Sequence, residues 1–148
     1  MRLRQSGVTM IEVMITIVIL SIGLLGLASL QMSSLRLNLS AHYHGIAAQQ
    51  ARDMADRMRA NIRGVLSNQY DNLAGTPAPT KDCNSAAETC TPTDLRIHDL
   101  FEWNSANANL LPGGTGTVTV DASGTVFSIV LNWDDRGDAK TYSMRFQP

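Results

Sequence analysis

The sequence predicts an α+β chain. One long N-terminal helix, its first half apolar and its second half amphipathic, packs on a small antiparallel sheet of about three strands, with a second helix in the connecting region. Three observations carry this. From Val8 to Leu30 the chain reads VTMIEVMITIVILSIGLLGLASL, with Glu12 its only charge. Beyond Leu30, apolar and small residues recur near the helical period, without a proline, as far as Ile62. After Pro112-Gly113-Gly114, runs rich in Val and Thr alternate with clusters of Asp, Gly and Ser, the spacing of strands joined by hairpins.

The apolar run, at about 1.5 Å rise per residue, would be roughly 35 Å long as a helix, enough to cross a hydrocarbon core of about 30 Å with some tilt. Arg2 and Arg4 precede it, whereas the other flank carries only Arg36 before Arg52. The positive-inside rule then keeps the N-terminus cytoplasmic and exports the rest. A cleaved secretory signal with Gly26-Leu27-Ala28 as its small-x-small site is the competing reading. Glu12 argues against it, because that region of a signal peptide is uniformly apolar, and so does the helical pattern that runs on past the site. Ser21, Gly23, Gly26 and Ser29 permit close approach of other membrane helices, or are ordinary membrane-helix residues; Gly23 and Gly26 lack the GxxxG spacing.

The junction ahead of the run is Arg2-Leu3-Arg4-Gln5-Ser6-Gly7, then Val8-Thr9-Met10-Ile11-Glu12-Val13. A basic leader, a glycine, a glutamate five places on and then an uncharged apolar run resemble the type III signal of type IV pilins and type II secretion pseudopilins. Val8 and Met10 stand where that family commonly has Phe and Leu, with polarity kept. The resemblance implies that residues 1–7 are a leader, that a membrane-embedded aspartic prepilin peptidase cuts between Gly7 and Val8, and that the new N-terminus on Val8 is methylated. It also implies that Glu12 is an assembly contact. Elementary energetics points to the same residue. A carboxylate at bilayer depth costs about 2.5 to 3.5 kcal/mol, so Glu12 calls for a partner. An amine on Val8, four positions earlier, would share its helix face, within one chain or between neighbouring subunits. A glutamate that only snorkels to the interface is the bland alternative.

Leu35, Leu39, Tyr43, Ala47, Ala51, Met54, Ala55, Met58 and Ile62 mark the apolar stripe of the second half, 31–62, while Asp53 and Arg57 form a favourable i, i+4 pair on another face. A continuous helix from Val8 to about Asn61 would be on the order of 80 Å long. Met54 and Met58 are expected to fill the helix-to-sheet core. The segment Gln49–Asn61, the run LSIGLLGLASLQ at Leu20–Gln31 and the later EWN and LLPGG are similar to minor pilins of the PilV family, the type IV pilus modification proteins. This implies a type IV pilin-like fold, with residues 63–148 as a globular head.

In the head, Asn61 to about Thr93 reads as a long connecting loop rich in Gly, Asn, Pro, Thr and Ser. It holds both cysteines, Cys83 and Cys90, and an even, closely spaced pair in an exported chain argues for a disulfide over free thiols. Closing so short a ring would stabilise by roughly 2 to 3 kcal/mol. Asp94 is a candidate cap for a second helix reaching Leu111, with Leu95, Leu100, Trp103 and Leu110 as candidate buried positions. Strands are expected at Thr117–Val120, Val126–Trp133 and Thr141–Phe146, separated by Asp121–Gly124 and Asp134–Asp138.

Composition narrows the function classes. Lys and Arg number 12 against 13 Asp and Glu, so no basic field exists to draw nucleic acid. Gly113-Gly114-Thr115-Gly116 follows a helix and is a stop and turn, not a phosphate cradle. Asp134 and Asp135 would point apart on a strand, which suits a solvated hairpin better than paired acid–base chemistry. Arg136-Gly137-Asp138 matches an integrin-binding tripeptide too short to carry weight. His42, His44 and His98 show no metal-ligand pattern, and no catalytic arrangement, cofactor site or small-molecule substrate is indicated. The resemblance implies a minor pilin, placed first in the inner membrane as a single-pass protein with a periplasmic head, then on the pilus at the cell surface. Its implied partners are the prepilin peptidase, other minor pilins and the major pilin, in pilus initiation, twitching motility and adhesion. A minor pseudopilin of type II secretion is the alternative, and a membrane-anchored adhesin a more distant one.

Overall fold

The computed structural model describes residues 7–148. The remainder of the expected leader, with Arg2 and Arg4, lies outside the described residues. The chain divides into two compact units, one ending at Ser40 and one running from Ala41 to Pro148.

In the first unit the helix α1 (Met10–Ala60) begins, and every described residue from Gly7 to Leu39 is exposed. Three hydroxyls in the apolar run are satisfied by the helix itself. Thr16, Ser21 and Ser29 donate their hydroxyls to the carbonyls of Val13, Ile17 and Gly26 at 2.8, 2.7 and 2.8 Å. A hydroxyl bonded back onto its own helix needs no water, which is the condition for entering hydrocarbon.

The second unit, the head, carries its own core. The end of α1 contributes Ala47, Ala51, Met54, Ala55 and Met58, spaced along one helical stripe. The strands β1 (Thr115–Val120), β2 (Phe127–Asp135) and β3 (Asp138–Phe146) form an antiparallel sheet in the order β1-β2-β3. Val118, Phe127, Ile129, Leu131 and Trp133 supply its buried face. This is the expected α+β, type IV pilin-like fold, and Met54 and Met58 are fully buried in its core. The stripe begins later than its periodicity suggests: Leu35 and Leu39 are 67% and 41% exposed because they lie in the first unit, ahead of the head's core.

Asn61 ends α1 by leaving helical geometry and caps a short second helix, α2 (Ile62–Leu66), its side chain accepting from the Gly64 amide at 3.3 Å. The segment expected to be loop therefore starts with a helix, and Ile62, expected on the buried stripe, faces solvent on it. A Cβ at Gly64 would collide with the Asn61 amide and the Tyr70 ring.

The third helix, α3 (Pro92–Leu110), starts before the expected cap. Thr91 is the N-cap, accepting from the Asp94 amide at 3.2 Å, while Asp94 closes the reciprocal bond to the Thr91 amide at 3.0 Å. Asp94 is thus the third helical residue of a capping box, with Pro92 at the favoured first position. Leu100 and Trp103 are buried as expected; Leu95 is half-buried, and Leu110 is exposed because the chain turns extended at Leu111, which takes the buried place.

The ladder runs continuously to Asp135↔Asp138, leaving Arg136 and Gly137 alone in the turn, both at positive φ (62° and 89°). That is the two-residue hairpin whose twist matches its strands. Asp134 and Asp135 do point apart, but only Asp134 is solvated. Asp135 is buried, with Arg136 Nε 3.0 Å from its carboxylate, so the expected fully solvated hairpin is corrected on that side. β1 starts at Thr115, two residues early, because Gly116 lies directly under the Trp103 indole, where a Cβ would overlap the ring.

Candidate functional site

The N-terminal candidate residues meet at the start of α1. Gly7, Val8 and Thr9 precede the helix, which opens at Met10, with the Thr9 carbonyl accepting from Glu12 and Val13 at 3.1 and 3.3 Å. Val8 is therefore not helical here, contrary to the expected helix start, because no carbonyl ahead of Thr9 enters the ladder. Glu12 sits in the first helical turn. Unpaired amides there carry the positive end of the helix dipole, so a carboxylate is favoured at that position on electrostatic grounds alone. Val8, Met10 and Ile11 around it are 71%, 84% and 68% exposed. The helix that follows is long and apolar enough to cross a membrane by length and composition. An accessible Gly-Val bond, one acid and an uncovered apolar helix are thus gathered at one end of the chain.

Residues 2–28 match the family model of the prokaryotic N-terminal methylation motif. No curated protein and no solved structure matches the chain at a significant level. The matched segment holds Gly7, Val8 and Glu12 and ends just before the close of the apolar run, so the chain is prepilin-like at its N-terminus. Motif and exposed apolar helix together fit a membrane-anchored protein.

The head contains a second concentration of polar chemistry, absent from the sequence reading save for the Asp53–Arg57 pair. Arg57 donates from Nε to Asp53 at 2.8 Å and from Nη1 to Asp99 at 3.3 Å and Glu102 at 3.1 Å. Asp99 also accepts from the Tyr70 hydroxyl at 2.9 Å, and that hydroxyl accepts from Asn61 Nδ2 at 2.9 Å. Burial pushes the Asp99 carboxyl above the usual carboxylate range, and Tyr70 and Arg57 pull it back only in part. Burial also pushes Tyr70 up, with the Asp99 charge adding to it. Burial opposes the charge on Arg57, yet the bonds to Asp53 and Glu102 outweigh this and hold the guanidinium above its ordinary value. The signal that could have located the cluster is the spacing of Asp99 and Glu102, i and i+3 on one helix face.

Cys83 and Cys90 are joined in a disulfide, with Cα atoms 5.8 Å apart. Their loop is tied to α3: Lys81 Nζ reaches Asp94 at 2.9 Å, Asn84 Nδ2 donates to Glu102 at 2.8 Å, and His98 Nε2 lies 3.5 Å from Asp82. The bond from the Thr91 amide, then Lys81, holds the Asp94 carboxyl down at about 2. A crevice of about 240 Å³ lies between loop and helix, lined by Lys81, Asp82, His98, Phe101 and Glu102. His98 is buried there, not isolated, while His42 and His44 are exposed, His44 edge-on to Trp133 at 4.9 Å between ring centroids. Among the described residues no group of His, Cys, Asp and Glu is arranged to hold a metal ion.

Proposed function

We propose that the chain is a minor pilin of the PilV type. In this reading the peptidase cuts between Gly7 and Val8, the Val8 amine is methylated, and the exported head is carried into a type IV pilus by its N-terminal helix. The observation that carries the proposal is the placement of Glu12: one acid in the first turn of a helix whose apolar run, as far as Leu30, is otherwise uncharged and uncovered, inside a methylation motif. A lone carboxylate in an apolar solvent is stable only with a counter-charge. The amine released on Val8 supplies one, from the same subunit or from a docking neighbour. The helix dipole favours an acid at that position, and an amine on Val8 would add the counter-charge that a purely anchoring helix lacks. The motif supports processing and assembly with other pilins as a class; PilV membership rests on the scattered similarities named above, and the head is assigned a structural, non-enzymatic role.

Mass spectrometry of the mature protein tests the processing step: methyl-Val8 at the N-terminus is expected, and any other start overturns the assignment. Deletion of the gene tests the filament. Lost surface pili support a pilus subunit, whereas intact pili with lost exoprotein release overturn it in favour of a secretion pseudopilin.

A further inference from the structure

The two edges of the sheet are treated differently. Ladder geometry fixes which backbone groups each edge presents. The pair closing a two-residue hairpin, Asp135↔Asp138, is hydrogen-bonded, so every second pair after it is bonded too. Lys140, Tyr142, Met144 and Phe146 therefore bond to β2, and the N–H and C=O groups of Ala139, Thr141, Ser143 and Arg145 point away from it. On β1 the same logic turns Gly116, Val118 and Val120 outward, and the first two are occupied. Gly116 donates to Asn104 Oδ1 at 2.7 Å and accepts from Asn104 Nδ2 at 3.1 Å, while Val118 exchanges two bonds with Leu73 at 3.0 and 2.8 Å. No described residue does the same for β3.

A second observation points to the same edge. Tyr142, Met144 and Phe146 pack against the core but remain half-buried, whereas their β2 partners Leu131, Ile129 and Phe127 are buried. The apolar face of the sheet thus stops one strand short of being covered. β3 carries no proline and its register has no bulge, the usual devices that blunt an edge. Its inward charges, Asp138 and Lys140, stand at the turn end and pair with each other at 3.6 Å. Arg145, exposed near the far end, enters no ion pair among the described residues.

We propose that the outer edge of β3, from Lys140 to Arg145, is a docking site for an extended segment of another protein, added as an antiparallel fourth strand. The occupant's chemistry follows from the edge. Only extended backbone satisfies alternating outward N–H and C=O groups. Opposite Tyr142 and Met144 it needs apolar side chains, opposite Thr141 and Ser143 small hydroxyl residues, and opposite Lys140 and Arg145 carboxylates. Antiparallel addition continues the pairing already present in the sheet. The inference stands on the head alone and does not rest on the filament reading.

The test uses the full chain in detergent micelles and a capped hexapeptide, Glu-Val-Thr-Val-Thr-Glu, written N to C to run antiparallel from Arg145 to Lys140. Amide hydrogen exchange is followed by NMR. Exchange at Thr141, Ser143 and Arg145 is expected to slow at least tenfold with peptide, with Gly116 and Val118 unchanged. Ser143→Pro removes an outward donor without touching the β2 ladder, so it should keep the wild-type melting temperature and lose the protection. Arg145→Glu should favour a peptide with a lysine as its first residue, a readout that stands even if the proline variant misfolds. Unchanged exchange with peptide, equal protection in a folded Ser143→Pro, or concentration-dependent protection without peptide, which would signal a second copy of this chain, each overturns the proposal.

Discussion

Replacing Arg57 by Met keeps the aliphatic stem and removes the charge that Asp53, Asp99 and Glu102 share. The two more exposed acids turn to water; Asp99, with a side chain only 8% exposed, cannot. Taking one partner from a buried pair costs about 3 to 5 kcal/mol. Arg57 is itself 26% exposed and Tyr70 still donates to Asp99, so about 2 to 3 kcal/mol is the expected loss at neutral pH. For a head of this size that lowers the melting temperature by roughly 10 to 20 °C. The sign of the pH dependence is fixed. A carboxyl whose folded pKa is raised binds its proton more tightly folded than unfolded, so its contribution is fully present below the unfolded value and is lost as pH rises through the folded one. Removing Arg57 raises Asp99 further and widens that window, so the penalty should shrink on going from neutral pH toward pH 4. Fluorescence of Trp103 and Trp133, both buried in the head, reports its unfolding with the disulfide intact. A loss below about 0.5 kcal/mol, or one identical at pH 4 and pH 7, would refute the idea that a desolvated Asp99 is held by Arg57. Adding Asp99→Asn to the Met variant should recover part of the loss, because the amide is buried without a charge.

Three further outcomes are expected. Glu12→Ala should still be cleaved and methylated but enter filaments at least tenfold less, as immunoblots of sheared pili against whole cells would measure; normal incorporation would leave the acid without an assembly role. Gly116→Ala forces a methyl into the Trp103 indole and should cost about 1 to 3 kcal/mol in urea unfolding, whereas Gly124→Ala, with open space around it but φ at 71°, should cost about 1 kcal/mol from backbone strain alone. Cys83→Ser with Cys90→Ser should lower head stability by about 2 to 3 kcal/mol, a difference that disappears when both proteins are unfolded in reductant.

What the sequence made legible is what short-range physics dictates. The apolar run, the helical period through Met58, the strand alternation and the presence of a turn within Asp134–Asp138 all announce themselves within a few positions, although β2 runs on to Asp135 and β3 starts at Asp138, so that the turn is shorter than expected. The errors are of another kind. Asn61 reads as loop because asparagine and the nearby Gly64 are poor helix formers, yet its side chain caps α2 and reaches Tyr70 and the Pro92 carbonyl, 9 and 31 residues away. Leu110 reads as core and Leu111 as terminus, but the extended backbone at the cap exchanges them. Asp99 looks like a surface acid until Arg57 and Tyr70, 42 and 29 residues distant, arrive beside it.

Asn104 makes the same point about the edges of the sheet. Nothing local distinguishes it from Asn107 or Asn109 on the same helix, yet its amide occupies the outward groups of Gly116 and also donates to the Gly75 carbonyl at 2.7 Å. A primary amide is suited to this because it offers a donor and an acceptor side by side, the pattern of a neighbouring strand residue. β1 is therefore closed by a side chain that imitates a strand and by Leu73, which supplies one residue of a real one. Closing an edge this way requires a helix packed beside it, and α3 contacts β1 but not β3. The asymmetry of the sheet is thus a consequence of where α3 docks. Asn104→Leu should reopen the first edge: it removes both bonds to Gly116, and amide exchange at Gly116 should rise toward that of Ser143, whereas unchanged exchange would mean that burial under Trp103, not the amide, protects it.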